Sequence, residues 1–254
     1  MHPIAIKLGP IAIHWYGVLV AAGFLAGLWT ASIHGRTIGI KTEVIMDFGI
    51  WMIVGGIVGA RTFYVISNWE EFSSNLLEIV RVDHGGLVFY GGFLFAALAA
   101  IWFVRRNKLN FWQLADACAP SVALGHAFGR LGCFMNGCCY GKACSLPWAV
   151  RFPLDHETHG MPVHPTQIYE SIGNLVIFAG LWLFYPKRKF DGQVFWLYVF
   201  VYALLRFTDE FFRGDYTEYF FGNRLAPGQM MAVLMAAAAA VFLWRMPRKR
   251  PETT

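Results

Sequence analysis

The sequence predicts an all-α integral membrane protein with about seven transmembrane helices, and three observations carry that expectation. The chain of 254 residues is 57% hydrophobic and only 15% charged, whereas a soluble domain carries about a quarter charged residues. Its apolar residues gather in runs near 11–33, 44–66, 86–104, 111–128, 167–185, 192–212 and 227–245, each close to the roughly 20 residues that cross about 30 Å of hydrocarbon. Aromatic residues reach 17%, with ten Trp and ten Tyr, as expected where rings collect at membrane interfaces. The length suits a single domain, 1–254.

The first run is expected to be a retained anchor, because residues 1–10 lack a basic leader and no small-residue cleavage site follows. The fourth is the weakest: Asp116, Pro120 and His126 interrupt it, and it also fits a broken or re-entrant helix. The alanine run 236–240 is ordinary small-residue helix packing.

The net charge of +5 does not point to nucleic acid, because the basic residues form short clusters between apolar runs, as membrane topology signals do. One set of connections, with the C-terminal tail, holds Arg36, Lys41, Arg105, Arg106, Lys108, Lys187, Arg188, Lys189, Arg245, Arg248, Lys249 and Arg250, twelve in all. The other set holds Lys7, Arg81, Arg130, Lys142, Arg151, Arg213 and Arg224, which is seven. The richer side is expected to be cytoplasmic, with the C-terminus inside and the N-terminus outside. The outer connections, 67–85, 129–166 and 213–226, are the longer ones and carry most of the loop His, Cys and Asn. Chemistry is therefore expected to face outward, with 129–166 a long outer loop bearing the main motif.

Ionisable residues inside apolar runs are costly and mark functional sites. In the sixth run Arg206, Glu210 and Arg213 stand at i, i+4 and i+7 and are expected to share one helix face. Arg206 and Glu210 fit a structural salt bridge, while Arg213 at the outer end is expected to be a spare cation suited to phosphate. In the second run Gly55 and Gly59 form a GxxxG step that predicts close helix packing, and Arg61 follows one turn from the outer end. In the fifth, Pro165 suits a first helical turn, and Gln167, Glu170 and Asn174 fall on one polar stripe that predicts a cavity lining. His14, Trp15 and Tyr16 at the outer end of the first run fit an aromatic belt or a site equally well.

The densest stretch, residues 129–141, reads Gly-Arg-Leu-Gly-Cys-Phe-Met-Asn-Gly-Cys-Cys-Tyr-Gly. Its glycines permit tight turns, successive amides make anion-binding concavities, and Arg130 adds a fixed charge; together they predict a phosphate site. Cys133, Cys138, Cys139 and Cys144 admit three readings: individually packed thiols, a disulfide in an oxidising compartment, or a metal site. The step from Cys138 to Cys144 is wider than the usual zinc pattern, and no metal or cofactor is expected.

These residues resemble those of the prolipoprotein diacylglyceryl transferase family, a seven-span enzyme family of the bacterial inner membrane. The resemblance runs through His14, Trp15, Tyr16 and Gly17; Gly59, Ala60, Arg61 and Tyr64; residues 85–92; a Gly-Arg-x-Gly-x-Phe-x-Asn-Gly motif at 129–137; residues 147–153 and 164–170; and residues 210–213. It implies transfer of the diacylglyceryl group of phosphatidylglycerol to the thiol of a lipobox cysteine in a lipoprotein precursor. A thioether forms and glycerol 1-phosphate leaves. It implies further a lateral, lipid-accessible cavity beside an irregular outward-facing region, with phosphatidylglycerol, the precursor's signal peptide and the bilayer as partners. Arg130 and Arg213 would stabilise the phosphate and Tyr16 and Asn136 position lipid. Arg61, Gln167 and Glu170 would support them, with Gly129, Gly132, His164 and Glu210 completing the substrate-binding set.

The chain departs from the family at two points. Tyr90 stands where many members have a histidine favoured as general base, and Cys133 and Cys138 stand where many have Asn and Glu. Tyrosine, with an ordinary pKa near 10, is a poor base at neutral pH, so Tyr90 is expected to orient lipid, with His84 the substitute base candidate. The departures also fit a catalytically altered homologue that binds lipid or lipoprotein without transfer. The cysteines alone fit a membrane thiol-redox or metal-binding protein. A transporter is disfavoured because the arginines gather near one membrane face.

Overall fold

The computed structural model describes residues 4–8, 11–73, 75–81, 85–215 and 226–245. Their elements run β1 (Ile4–Leu8), β2 (Ile11–His14), α1 (Trp15–Arg36), α2 (Thr42–Ser67), the short α3 (Trp69–Phe72), α4 (Phe89–Arg106), α5 (Phe111–Asn136), β3 (Val150–Arg151), β4 (Pro162–Val163), α6 (Thr166–Phe184), α7 (Gln193–Asp209) and α8 (Pro227–Arg245). Each of the seven apolar runs thus coincides with a helix of at least 17 residues. Four of these helical stretches are long and apolar enough to cross a membrane: Trp15–Arg36, Thr42–Ser67, Thr166–Lys187 and Pro227–Arg245.

The chain divides into two compact units, Gly35–Leu114 and the remainder, Met1–His34 with Ala115–Thr254. In the first, α2 and α4 run antiparallel at very close approach. A Cβ on Gly59 would lie 2.4 Å from the Gly91 carbonyl oxygen, and one on Gly91 would lie 2.5 Å from that of Gly59. Only glycine at both positions allows the backbones to meet so closely, as the GxxxG step predicts. Arg61 is buried beside this contact. It donates to the carbonyls of Ile79 (3.0 Å), Gly85 (2.7 Å), Gly86 (3.1 Å) and Glu78 (2.5 Å), so its charge organises the connection that follows α2.

In the larger unit α1 packs on α5 through small residues: Gly27 faces Ser121, and the Thr30 and Ser121 hydroxyls lie 2.7 Å apart. Ser171 of α6 donates to the Ala127 carbonyl of α5 (3.0 Å), and the rings of Trp196 and Phe242 stack between α7 and α8.

Two expectations are corrected and one alternative is set aside. Residues 11–14 are not helical: the alternating Ile-Ala-Ile-His sequence pairs as β2 with β1 in an antiparallel ribbon, because alternation suits a strand. The fourth run is an unbroken helix despite Pro120. Its buried Asp116 accepts the backbone N–H groups of Gly192 and Phe195, both at 2.8 Å. This carboxylate from α5 thereby caps the start of α7, satisfying amides that the helix leaves without intrahelical partners. The glycine-rich motif is likewise not a loop at first, since residues 129–136 form the last turns of α5. Their amides serve the helix, and irregular chain begins only at Gly137.

Asp116→Ala removes the acceptor for two buried amides, and its expected cost is about 1–3 kcal/mol. Thermal unfolding in detergent should show a lowered midpoint; an unchanged midpoint would contradict the capping role.

Candidate active site

The larger unit contains a charged centre built on one carboxylate. Glu170, in the second turn of α6, is only 1% exposed. Its Oε2 pairs with Arg130 Nε at 3.0 Å and Arg206 Nη1 at 3.2 Å. Its Oε1 accepts from the Tyr202 hydroxyl at 3.2 Å and lies 3.5 Å from His126 Nε2. Helical spacing makes this possible. His126 and Arg130 are four residues apart on α5, and Tyr202 and Arg206 four apart on α7, so each helix presents a pair on one face. Asn174, one turn beyond Glu170, donates to the Glu170 carbonyl at 2.8 Å.

Arg206 extends the centre by pairing with Glu210, and lies 3.9 Å from Asp209. The expected Arg206–Glu210 bridge is therefore present. The α8 backbone fits around it: a Cβ on Gly228 would fall 2.0 Å from Glu210 Oε1, so any larger residue there has to displace the carboxylate.

The expected single face of Arg206, Glu210 and Arg213 is not found, because α7 ends at Asp209 and Glu210 caps it. Arg213 lies beyond, in an isolated antiparallel bridge with Gly141. Nor is it a spare cation: buried at 6% exposure, it forks onto Asp215 through Nε–Oδ1 (2.9 Å) and Nη2–Oδ2 (2.5 Å). A buried guanidinium needs such a partner.

The chain after α5 is pinned by its neighbours. Gln167 Nε2 donates to the Cys138 carbonyl and Thr166 Oγ1 to that of Cys139, both at 2.7 Å. Gly141 N–H donates to the His164 carbonyl and His164 N–H to that of Lys142, both at 3.0 Å, and Lys142 N–H reaches the Phe212 carbonyl at 2.8 Å. This brings Cys133, Cys138 and Cys139 together, with their sulfurs all within 4.8 Å of one another. Hydrogen bonds from the Cys133 and Cys138 thiols, with Arg213 and Arg130 nearby, hold the Cys139 thiol below the usual thiol range. Tyr16 lies alongside, packing against Gly132 and sharing the field of Arg130 and these thiols. The side chain of Asn136 hydrogen-bonds Cys138.

An apolar cavity of about 420 Å³ adjoins the charged centre, lined by Leu146, Trp148, His164, Tyr169, Leu205, Thr208, Asp209 and Phe212. Trp148 Nε1 donates to the Tyr169 hydroxyl (2.8 Å), which lies 3.3 Å from His164 Nδ1.

Of the sequence-predicted residues, Tyr16, Arg130, Asn136, Gly132, Gln167, Glu170, Glu210 and Arg213 thus stand in or around this centre, and His164 lines the cavity. Gly129 lies in the α5 turn beside Arg130. Arg61 and Tyr90 belong to the other unit, with Tyr90 77% exposed in the first turn of α4. His84 lies outside the described residues. Sequence reasoning missed three participants. His126 was noted only as a polar interruption, although its i, i+4 spacing to Arg130 pointed at the same face. Tyr202 stands in the same relation to Arg206. Asp209, buried with no hydrogen-bond partner for either oxygen among the described residues, was masked by its neighbour Glu210.

The family model for prolipoprotein diacylglyceryl transferase matches residues 3–245. The chain belongs to that family. It is similar to phosphatidylglycerol–prolipoprotein diacylglyceryl transferases of several bacteria. That of Finegoldia magna is 34% identical over 243 residues, covering 95% of this chain and 94% of the relative. That of Nostoc sp. is 33% identical, covering 98% and 91%. That of Acaryochloris marina is 38% identical over 221 residues, covering 84% and 80%.

Gly228→Ala should displace Glu210 from Arg206 and destabilise the protein by about 1–3 kcal/mol, as overpacking does. The check is the unfolding midpoint of the purified variant; parental stability would show that the Glu210 contact with α8 is dispensable.

Proposed function

We propose that the protein is the transferase that moves the diacylglyceryl group of phosphatidylglycerol onto the lipobox cysteine of lipoprotein precursors. The observation that carries this is the ion pair of Arg130 with Glu170, beside an apolar cavity of about 420 Å³. That ion pair anchors the guanidinium beside the buried carboxylate. Among the described contacts it leaves the Nη1/Nη2 edge for a ligand, and that edge matches two phosphate oxygens.

The substrate sulfur forms a bond to the glyceryl carbon. The bond from that carbon to phosphate oxygen breaks, and glycerol 1-phosphate leaves with the electron pair. Negative charge grows on the departing phosphate, so fixed guanidiniums favour the transition state over the ground state. Arg130 holds the phosphate in this reading. Arg213, anchored on Asp215, adds its field from the loop bearing Gly141. Tyr16 and Asn136 position the lipid, and the cavity lined by His164 takes an apolar part of a substrate. Gly129 and Gly132 keep the face of α5 low enough for the headgroup to approach. Arg61 acts through the loop it organises, and Tyr90 orients lipid by its hydroxyl, with His84 the remaining candidate base.

The protein works as a single transmembrane domain in the bacterial inner membrane. The partnered polar residues of α5 and α7 support crossing by these helices as well as by the four most apolar ones, which gives seven spans. The charge asymmetry supports a periplasmic N-terminus, a cytoplasmic C-terminus and a site facing the periplasm. The residues from 137 to 165 supply the irregular outer region, and the cavity opens sideways to lipid.

Transfer is measured with purified protein, phosphatidylglycerol and a lipobox peptide, scored for thioether product. Arg130→Lys keeps the charge but loses the planar fork, and is expected to lower transfer by about 10²-fold or more, in line with loss of one preorganised donor. Tyr90→Phe is expected to fall only modestly. Near-parental transfer by Arg130→Lys would contradict the phosphate role, and near-abolition by Tyr90→Phe would contradict the orienting one.

A further inference from the structure

The cluster of Cys133, Cys138 and Cys139 is left unexplained by phosphate binding. Its three sulfurs lie within 4.8 Å of one another. Thiolates sharing one tetrahedral zinc at about 2.3 Å stand about 3.8 Å apart, so closing the cluster on an ion requires shifts of about an ångström. The backbone is already shaped for this. Cys133 sits on the last turns of α5, Gly137 and Cys139 adopt left-handed conformations (φ 82° and 65°), and the carbonyls of Cys138 and Cys139 are tied to α6. A left-handed non-glycine residue is costly and persists where the surroundings demand it; here it turns two consecutive cysteines toward Cys133.

We propose that Cys133, Cys138 and Cys139 form a three-thiolate site for zinc, whose fourth position takes the thiol of the incoming lipobox cysteine. The second half of this inference rests on the transferase reading. Soft thiolates select zinc and similar ions over hard cations, and the described residues supply three ligands, one fewer than a closed structural site. Three thiolates and one zinc ion sum to a single negative charge, which suits the neighbouring Arg130 and Arg213.

The site supplies what Tyr90 cannot, namely substrate sulfur as thiolate at neutral pH. On binding, the substrate thiol releases its proton to water. The sulfur lone pair forms the bond to the glyceryl carbon, the carbon–oxygen bond breaks with its electrons going to the phosphate oxygen, and the neutral thioether, a poor ligand, departs. The three protein thiolates are unchanged at the end of the cycle, and no oxidant or reductant is needed. Four residues separate Cys133 from Cys138, a C-x4-C step at the wide end of zinc spacing, and the end of a helix between them brings the two together.

The test uses the full chain in detergent under reducing conditions, titrated with cobalt(II). The expected result is a thiolate-to-cobalt charge-transfer band saturating at one ion per chain and abolished by zinc. Cys133→Ser, Cys138→Ser and Cys139→Ser should each weaken binding by more than about tenfold, the loss that even outer-shell changes cause. Cys118→Ser and Cys144→Ser should leave it intact. A lipobox peptide should shift the band, and its serine counterpart should not. Absence of the band in the parent chain, its survival when all three cysteines are replaced, or isolation of the chain with two of the three joined in a disulfide would overturn the metal site. The parent titration decides the matter even if a variant fails to fold. Transfer is followed in parallel. Loss on chelation and recovery with zinc support the inference, and transfer indifferent to chelation overturns it while leaving the transferase reading intact. A saturated cobalt site in protein that transfers nothing overturns the transferase reading instead.

Discussion

Glu170 carries the charged centre of the larger unit. Its carboxylate, almost wholly removed from solvent, is shared by Arg130 from α5 and Arg206 from α7, with Tyr202 and His126 on the other oxygen. Burying a carboxylate costs several kcal/mol before any partner is counted, and burying two guanidiniums costs more. The arrangement is tolerable because the charges sit together and α6 brings one acceptor to donors on two other helices. It also fixes where the arginines point, which an isolated cation on a flexible stem would not.

Much of the surrounding structure follows from accommodating that centre. Asp116 caps α7 from the other end of α5, so the two helices that supply Arg130 and Arg206 are joined by a second polar contact. Gly228 leaves room for Glu210, which takes the far side of Arg206. Thr166 and Gln167, one turn before Glu170, hold the carbonyls of Cys138 and Cys139. One helix N-terminus therefore positions both the charged centre and the thiol cluster, and phosphate chemistry and sulfur chemistry meet on α6.

The helices were legible in the sequence because hydrophobic runs of membrane length dominate it, and the polar stripe of Gln167, Glu170 and Asn174 follows from helical spacing alone. Arg130, Tyr16 and Asn136, which the ordered motifs single out, stand around the thiol cluster. Three features were hidden for physical reasons. Residues 129–136 carry glycines that suggest a loop, yet they form the end of a helix on which Gly132 meets Tyr16 of α1 and Gly129 faces open space. Arg213 looked continuous with the face of Arg206, but the helix ends before it, and a spacing argument holds only while the helix lasts. The partners of Arg206 and Arg130 come from α6, tens of residues away, and long-range pairing of charges leaves no local signal. His126 and Tyr202 were missed for the same reason, since each looks like an ordinary interruption until Glu170 stands opposite.

The central claim is that one carboxylate, through its charge, holds both arginines in place. Glu170→Gln keeps the shape of the side chain and removes only that charge, so it tests the claim with little steric disturbance. The measurement is binding of phosphatidylglycerol vesicles or nanodiscs to the purified variant, together with its unfolding midpoint. Arg130 left buried without a counter-charge, with Arg206 left to Glu210 alone, predicts destabilisation of about 3–5 kcal/mol and weakened headgroup binding. A Glu170→Gln variant with parental stability and parental affinity for the lipid would contradict the account.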